Sequence, residues 1–309
     1  MPNDIVQQQN TPKFLAYLAA SSRAYDILRK KLVIQRTLAI ASGVGGALTA
    51  TQFPELKGVS AAFAMGVVIL DRALFDKTLQ RSSDLGARIQ ERFDCELLRI
   101  SWNECRAGSK VDTDEVNILA NKFRKKHDES ELRDWYPKVV ERIPLEYAVL
   151  VCQRVSMSWD LALRRHYSLL CGLSLLALIL IGVAIAVIRD WTIRETALLL
   201  LPYVPFGLML HREYEANKQS ADRTDSAKSH LTKTWRSATA GDQLNATLAE
   251  TSRCLQDQLF DRRKSTLPVP QWFYRLSRTR YEESMDAIAV ELVAEVETGM
   301  ENGLIQGGG

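Results

Sequence analysis

What this chain lacks narrows its chemistry first. Its four histidines, His127, His166, His211 and His230, stand in unrelated contexts, with no His-Glu-x-x-His pair, no nucleophile elbow and no motif of paired carboxylates. Its five cysteines, Cys95, Cys105, Cys152, Cys171 and Cys254, are scattered without a Cys-x-x-Cys pair or a metal-ligand spacing, which suits free thiols in a reducing compartment. The expectation is therefore a protein that is no enzyme and needs no metal or cofactor. Excess charge is scarce too: 40 Lys+Arg stand against 37 Asp+Glu, a net +3, too little for a polymeric nucleic acid as partner.

One stretch lacks charge and proline altogether. Leu169 to Ile188, LLCGLSLLALILIGVAIAVI, is as long as a helix must be to cross a ~30 Å hydrocarbon core. A core helix of a large soluble protein is the competing reading, but polar residues normally interrupt such a helix within a few turns. Overall composition hides this stretch, with 46% hydrophobic and 25% charged residues. Short lipid-soluble runs alternate with long charged ones, so a modest membrane part carries large water-exposed parts.

Three further spans accompany it. After the basic cluster Arg29, Lys30, Lys31, an apolar run extends from Leu32 to Thr51. The polar region ahead of it is too long for a cleaved signal peptide and carries its own amphipathic pattern, so an uncleaved span is expected. This run is built from small residues: Ala39, Gly43 and Ala47 form one i, i+4 row, and Ser42, Gly46 and Ala50 the next, a pattern that lets backbones approach closely. No strand precedes these glycines and no lysine follows, which excludes a phosphate loop. A second span from Val59 to Leu70, or on to Leu74, carries Ser60, Ala62 and Gly66. A fourth, Ile193 to Leu210, contains Pro202 and Pro205 and is expected to kink. No ionisable side chain is expected mid-membrane in either hairpin.

The predicted fold class is an all-α integral membrane protein: two transmembrane helical hairpins with a helical cytosolic domain formed from the N-terminal, middle and C-terminal segments. The expected division is residues 1–31 as a cytosolic N-terminal helix, 32–74 as the first hairpin, 75–166 as a cytosolic helical region, 167–210 as the second hairpin and 211–309 as a cytosolic C-terminal region. In the polar parts, Pro12 is a helix start, a break is expected at Ala107 to Ser109, a helix opens near Asp112, and Pro144 opens one that leads straight into Leu169. One polar helix is expected from Arg212 to Asp261, and a closing helix from Glu282 to Gly299. Basic residues such as Arg72, Lys77, Arg81, Arg164, Arg165 and Arg212 flank the spans on the side of the long segments, which puts both termini and the middle region in the cytosol.

Arginines and aromatics recur at those cytosolic positions: Trp135, Tyr136, Gln153, Arg154, Trp159, Arg164, Trp272, Phe273, Tyr274 and Arg275. Around them stand Gln9 and Asn10 followed by Leu18, Ala19, Ala20 and Tyr25, then DWYPKV from Asp134, CQRVSMSWDLALRR from Cys152 and PVPQWFYRL from Pro268. In these stretches the chain resembles the SMODS-associated four-transmembrane effector family. Ser156, Met157 and Ser158 stand where the family pattern has an Asn-containing triplet.

The resemblance implies a pore-forming effector of a CBASS-type antiviral system in the bacterial inner (cytoplasmic) membrane. In such systems a nucleotidyltransferase makes a cyclic oligonucleotide on infection and the effector damages the membrane. Arginine beside tryptophan or tyrosine suits a ligand of phosphates and flat bases. The implied ligand residues are Trp135, Tyr136, Gln153, Arg154, Trp272 and Tyr274; the bland alternative has Trp159 and Trp272 filling an interhelix core and Asp160 with Arg164 as a helical i, i+4 pair. Ala39, Gly43, Gly46, Ala47, Ala62 and Gly66 are the expected helix-packing or pore positions. Four spans do not easily enclose a channel, so a homo-oligomer in the lipid bilayer is expected. A membrane-anchored sensor or scaffold without pore activity and a constitutive ion channel are the rival readings.

Overall fold

The computed structural model describes residues 3–70, 76–241 and 245–305, and among them the chain is helical with no strand. In chain order the helices are α1 (Ile5–Gln9), α2 (Pro12–Thr51), α3 (Lys57–Leu70), α4 (Asp76–Leu97), α5 (Glu104–Ala107), α6 (Thr113–Arg124), α7 (Leu145–Ile188), α8 (Ile193–Leu200), α9 (Val204–Thr239), α10 (Asn245–Ser265) and α11 (Gln271–Glu301). Short 3-10 turns at Pro54–Leu56, Glu129–Leu132, Lys138–Arg142 and Leu201–Tyr203 join some of them.

The helix bounds follow local chemistry. Pro12 sits in the first turn of α2, where its missing N–H costs nothing, and no proline follows until Pro54, so the expected N-terminal helix and first span are one helix. α7 likewise opens after Pro144 and runs unbroken through Leu169 to Ile188. Thr192 and Glu195 close a reciprocal capping box at the start of α8. Pro202 and Pro205 then force the 3-10 turn between α8 and α9, the expected kink.

Two expectations need correction. The polar helix from Arg212 does not run to Asp261: α9 ends at Thr239 and Gly241 turns the chain at φ +82°, a conformation that glycine adopts without strain. The closing helix starts at Gln271 rather than Glu282, because Pro270 stands at its N-cap and the aromatic triplet Trp272, Phe273, Tyr274 forms its first turn. The continuation of the second span to Leu74 lies outside the described residues.

The chain divides into two compact units. The first comprises Met1–Asp26, Ser83–Arg164 and Ser220–Gly309; the second comprises Ile27–Ser82 and Arg165–Gln219. In the first unit a continuous core gathers Phe14, Leu18, Phe93, Leu150, Leu231, Leu255 and Val293 from α2, α4, α7, α9, α10 and α11. Phe93 is at its centre, edge-on to Phe14 at 5.9 Å and stacked with Tyr136 at 6.2 Å.

The second unit has a smaller core of Ala39, Met209 and Leu210. Its closest approach involves the small-residue rows of α2. A Cβ built on Gly46 would stand 2.1 Å from Pro202 Cβ, and one on Gly43 would stand 3.3 Å from the Tyr203 ring. Ser42 Oγ donates to the Pro202 carbonyl at 2.9 Å. The small residues thus seat the proline turn against α2. On α3 the buried positions are Ala64 and Val67; Ala62 is exposed and a Cβ on Gly66 would meet nothing within 4 Å. The Ala47 side chain lies outside the described ones. Arg36 falls in the first turns of the expected first span rather than mid-span, and its Nε pairs with the buried Glu213 at 2.6 Å, on which the Tyr167 hydroxyl also bonds.

Two stretches, α7 and Ile193–Thr239, are long and apolar enough to cross a membrane, and Gly58–Leu70 is apolar but shorter. Only 11% of the most apolar part of α7 is buried. Leu169, Leu173, Leu176, Ile179, Leu180 and Ile181 are all more than half exposed. A soluble-core helix would bury these side chains.

Candidate functional site

The site is built inside the first unit, where polar side chains cluster within an apolar core. On α4, Glu91 and Asp94 lie about one turn apart and are 1% and 0% exposed. The buried Gln256 of α10 bridges them, its Nε2 donating to Glu91 at 2.8 Å and to Asp94 at 2.9 Å. Arg253 donates to Glu91 at 2.8 Å, and Arg263 pairs with Asp94 at 2.5 Å. The Tyr136 hydroxyl donates to Asp94 at 2.8 Å. Burial raises the pKa of Glu91, and burial together with the Asp94 charge raises that of Tyr136, which stays a phenol and a donor.

A second group lies one residue along. Asp160 of α7 accepts from Arg164 at 2.6 Å and pairs with Arg262 at 3.2 Å. Burial pulls the Arg262 pKa down to about 10 against the attraction of Asp160, whereas the two arginines overcome burial and hold the Asp160 carboxyl below its ordinary value. Arg164 Nη1 donates to the Leu267 carbonyl at 3.3 Å. Trp159 meets Tyr274 at 5.8 Å between ring centres. The prolyl segment and the first turn of α11 are thereby fastened to α7.

The six residues expected to touch ligand divide between core and surface. Tyr136 and Gln153 are core members. The amide of Gln9 grips the Tyr136 backbone at both ends, accepting from its N–H at 2.8 Å and donating to its carbonyl at 3.2 Å, while Gln153 Nε2 donates to the Ser252 carbonyl at 2.9 Å and to Gln256 at 3.1 Å. Trp135 is 42% exposed, with its edge on Phe93. Trp272 is 59% exposed and Tyr274 half-buried. Arg154, adjacent to Gln153 but on another face of α7, donates to Thr232 Oγ1 at 2.7 Å, and its buried Nε has no partner. Burial lowers its pKa.

Sequence reasoning missed Glu91, Asp94, Gln256, Arg253, Arg262 and Arg263. A faint signal existed: Glu91 and Asp94 fall among Ile89, Phe93 and Leu97, on the apolar side of α4. Gln9 and Asn10 were singled out without a role. Their partner is the DWYP stretch: Asn10 bonds the Asp134 backbone N–H at 3.0 Å and its carboxylate at 2.8 Å, holding Asp134 at φ +54°.

The SMODS-associating 4TM effector domain pattern matches residues 3–292. The chain belongs to that family. A relative from Bacillus cereus (strain VD146), described as a probable CBASS effector molecule, is 24% identical over 210 residues, covering 67% of this chain and 68% of its own. No solved structure matches. In this member of the 4TM effector family, Gln9, Asn10, Tyr136 and Gln153 serve to hold α1, α7, α10 and the 134–137 loop together. Among the described residues no group of His, Cys, Asp and Glu could hold a metal ion.

Proposed function

We propose that the protein is a non-enzymatic antiviral effector of the CBASS type, anchored in the bacterial inner membrane with its helical bulk in the cytosol. It senses a cyclic oligonucleotide made by a partner nucleotidyltransferase and, by assembling with further copies, opens or disrupts the bilayer. Family membership and the relative described as a CBASS effector support the antiviral role. The observation that carries the membrane part is the outward-facing leucines and isoleucines of α7, an apolar surface that water does not tolerate and hydrocarbon does.

The sensing surface is proposed on Arg154, Trp135 and Tyr274, which keep exposed area or unused donors. Tyr136 and Gln153 act behind it by fixing the backbone that presents them. Full-length protein reconstituted in dye-loaded liposomes tests the reading. Release on adding one member of a panel of cyclic di- and trinucleotides is expected. Ligand binding without release would favour a sensor that passes its signal to another protein. Release without any nucleotide would favour a constitutive channel.

A further inference from the structure

The first turns of α11 carry a surface that the fold leaves open. Trp272 is 59% and Leu276 79% exposed, and they lie on one face because they are four residues apart on a helix. Between them Arg275 is exposed, while Phe273 is buried beneath. From Gln271 to Tyr281 the sequence contains Arg275, Arg278 and Arg280 and no acid. Tryptophan, leucine and arginine with no acid is the composition of a helix face that rests in the headgroup layer of an anionic leaflet. The anchors of this segment agree with that partner. Trp159 on Tyr274 and Arg164 on the Leu267 carbonyl tie it to α7, and about a turn and a half after Arg164 the α7 sequence begins its lipid-soluble run at Leu169.

We propose that the start of α11 is an interfacial membrane contact, with Trp272 and Leu276 inserted among the headgroups of an anionic leaflet and Arg275 on its phosphates. This rests on the membrane reading above but not on pore formation or nucleotide sensing. Trp272 would act there as interfacial tryptophans do, with its ring body in the apolar boundary and its N–H toward water.

The test uses full-length protein in nanodiscs of mixed zwitterionic and anionic phospholipid and compares tryptophan emission with that of W272F, so that the difference isolates Trp272. Emission shifted to the blue relative to a water-exposed indole, and reduced about twofold or more by lipids brominated near the top of their chains, is expected. R275E should weaken that quenching in anionic discs and leave it unchanged in purely zwitterionic ones. Red-shifted emission quenched by aqueous iodide and not by brominated lipid would overturn the proposal. A blue shift without brominated-lipid quenching would overturn it in favour of a second copy of the chain. Protein that does not enter nanodiscs at all overturns the membrane reading along with it, whereas normal quenching without dye release leaves the contact standing and sinks the pore alone.

Discussion

Gly46 and Gly45 are neighbours on α2 with opposite surroundings, which makes them a paired measurement of how tightly the proline turn is seated. A Cβ on Gly46 meets Pro202 Cβ at 2.1 Å and Cγ at 2.7 Å, with the Pro202 Cα at 3.5 Å. Carbon atoms pack at about 3.5–4.0 Å, so Gly46→Ala must separate α2 from the turn by roughly 1.5 Å. A pyrrolidine ring has no rotamer in which to step aside, and the strain falls on the backbone. Gly45→Ala meets nothing within 4 Å. Both substitutions gain the same helix propensity, which cancels in the comparison. What remains is overpacking, about 1–3 kcal/mol against Gly46→Ala, or roughly a fivefold to 150-fold difference in the unfolding constant. Far-UV circular dichroism of full-length protein during reversible unfolding in SDS mixed with mild detergent would measure it. Equal stabilities, within about 0.5 kcal/mol, would refute the claim that the small-residue row seats Pro202. Gly66→Ala, where a Cβ would also stand in open space, should behave like Gly45→Ala.

Other substitutions test the polar core. Tyr136→Phe removes a donor at 2.8 Å from a fully buried carboxylate that keeps Gln256 and Arg263, and should cost about 1.5–3 kcal/mol in thermal unfolding. Arg36→Met should cost about 3–5 kcal/mol by leaving Glu213 buried without its cation, and Arg36→Met with Glu213→Gln should recover part of that loss in a double-mutant cycle. Burial raises the folded pKa of Glu91 above its unfolded value, so the folded chain holds this proton the more tightly. The Glu91 contribution is therefore fully present below about pH 4.3, the unfolded value, and is lost as pH rises through the raised folded one. Melting profiles of wild type and Glu91→Gln between about pH 4 and 8 should diverge in that sense, and a wild type that gains on Glu91→Gln as pH rises would refute the sign.

What the sequence made legible was whatever leaves a local mark. The apolar run of α7, the kink at Pro202 and Pro205 and the helix start at Pro144 are consequences of composition and proline chemistry over a few residues, and α7 could be followed across its whole length. The buried network was hidden because its members are far apart in sequence: Glu91 and Asp94 meet Gln256 and Arg263 only after α4 and α10 pack. Each residue alone reads as a solvated polar or charged side chain on a polar helix. Gln9, Asn10 and the DWYP stretch show the intermediate case, where two motifs are visible as motifs and only the fold reveals that one clasps the other. The aromatic triplet at Trp272 was legible as unusual, but its helix was placed too late because the prolines before it read as a longer loop.

Arg154 is the position at which the proposed ligand-binding role can be told from a structural one. Arg263 faces a buried carboxylate at 2.5 Å, and removing its charge strands Asp94, at a cost of about 3–5 kcal/mol. Arg154 is half-buried against a single hydroxyl, that of Thr232, and among the described residues no carboxylate forms an ion pair with it. Glu295 and Glu291 hold it charged from a distance, while Arg236 opposes them. Arg154→Met keeps the packing of the aliphatic stem and removes a partly desolvated charge, so stability should change little or rise. The same substitution should abolish the nucleotide dependence of dye release, because the proposed sensing role has this guanidinium take a phosphate of the ligand. Melting and release measured on one preparation decide the matter. A loss of stability as large as that of Arg263→Met would make Arg154 structural. An unchanged nucleotide dose response would remove it from the sensing surface, leaving Trp135 and Tyr274 to be tested in its place.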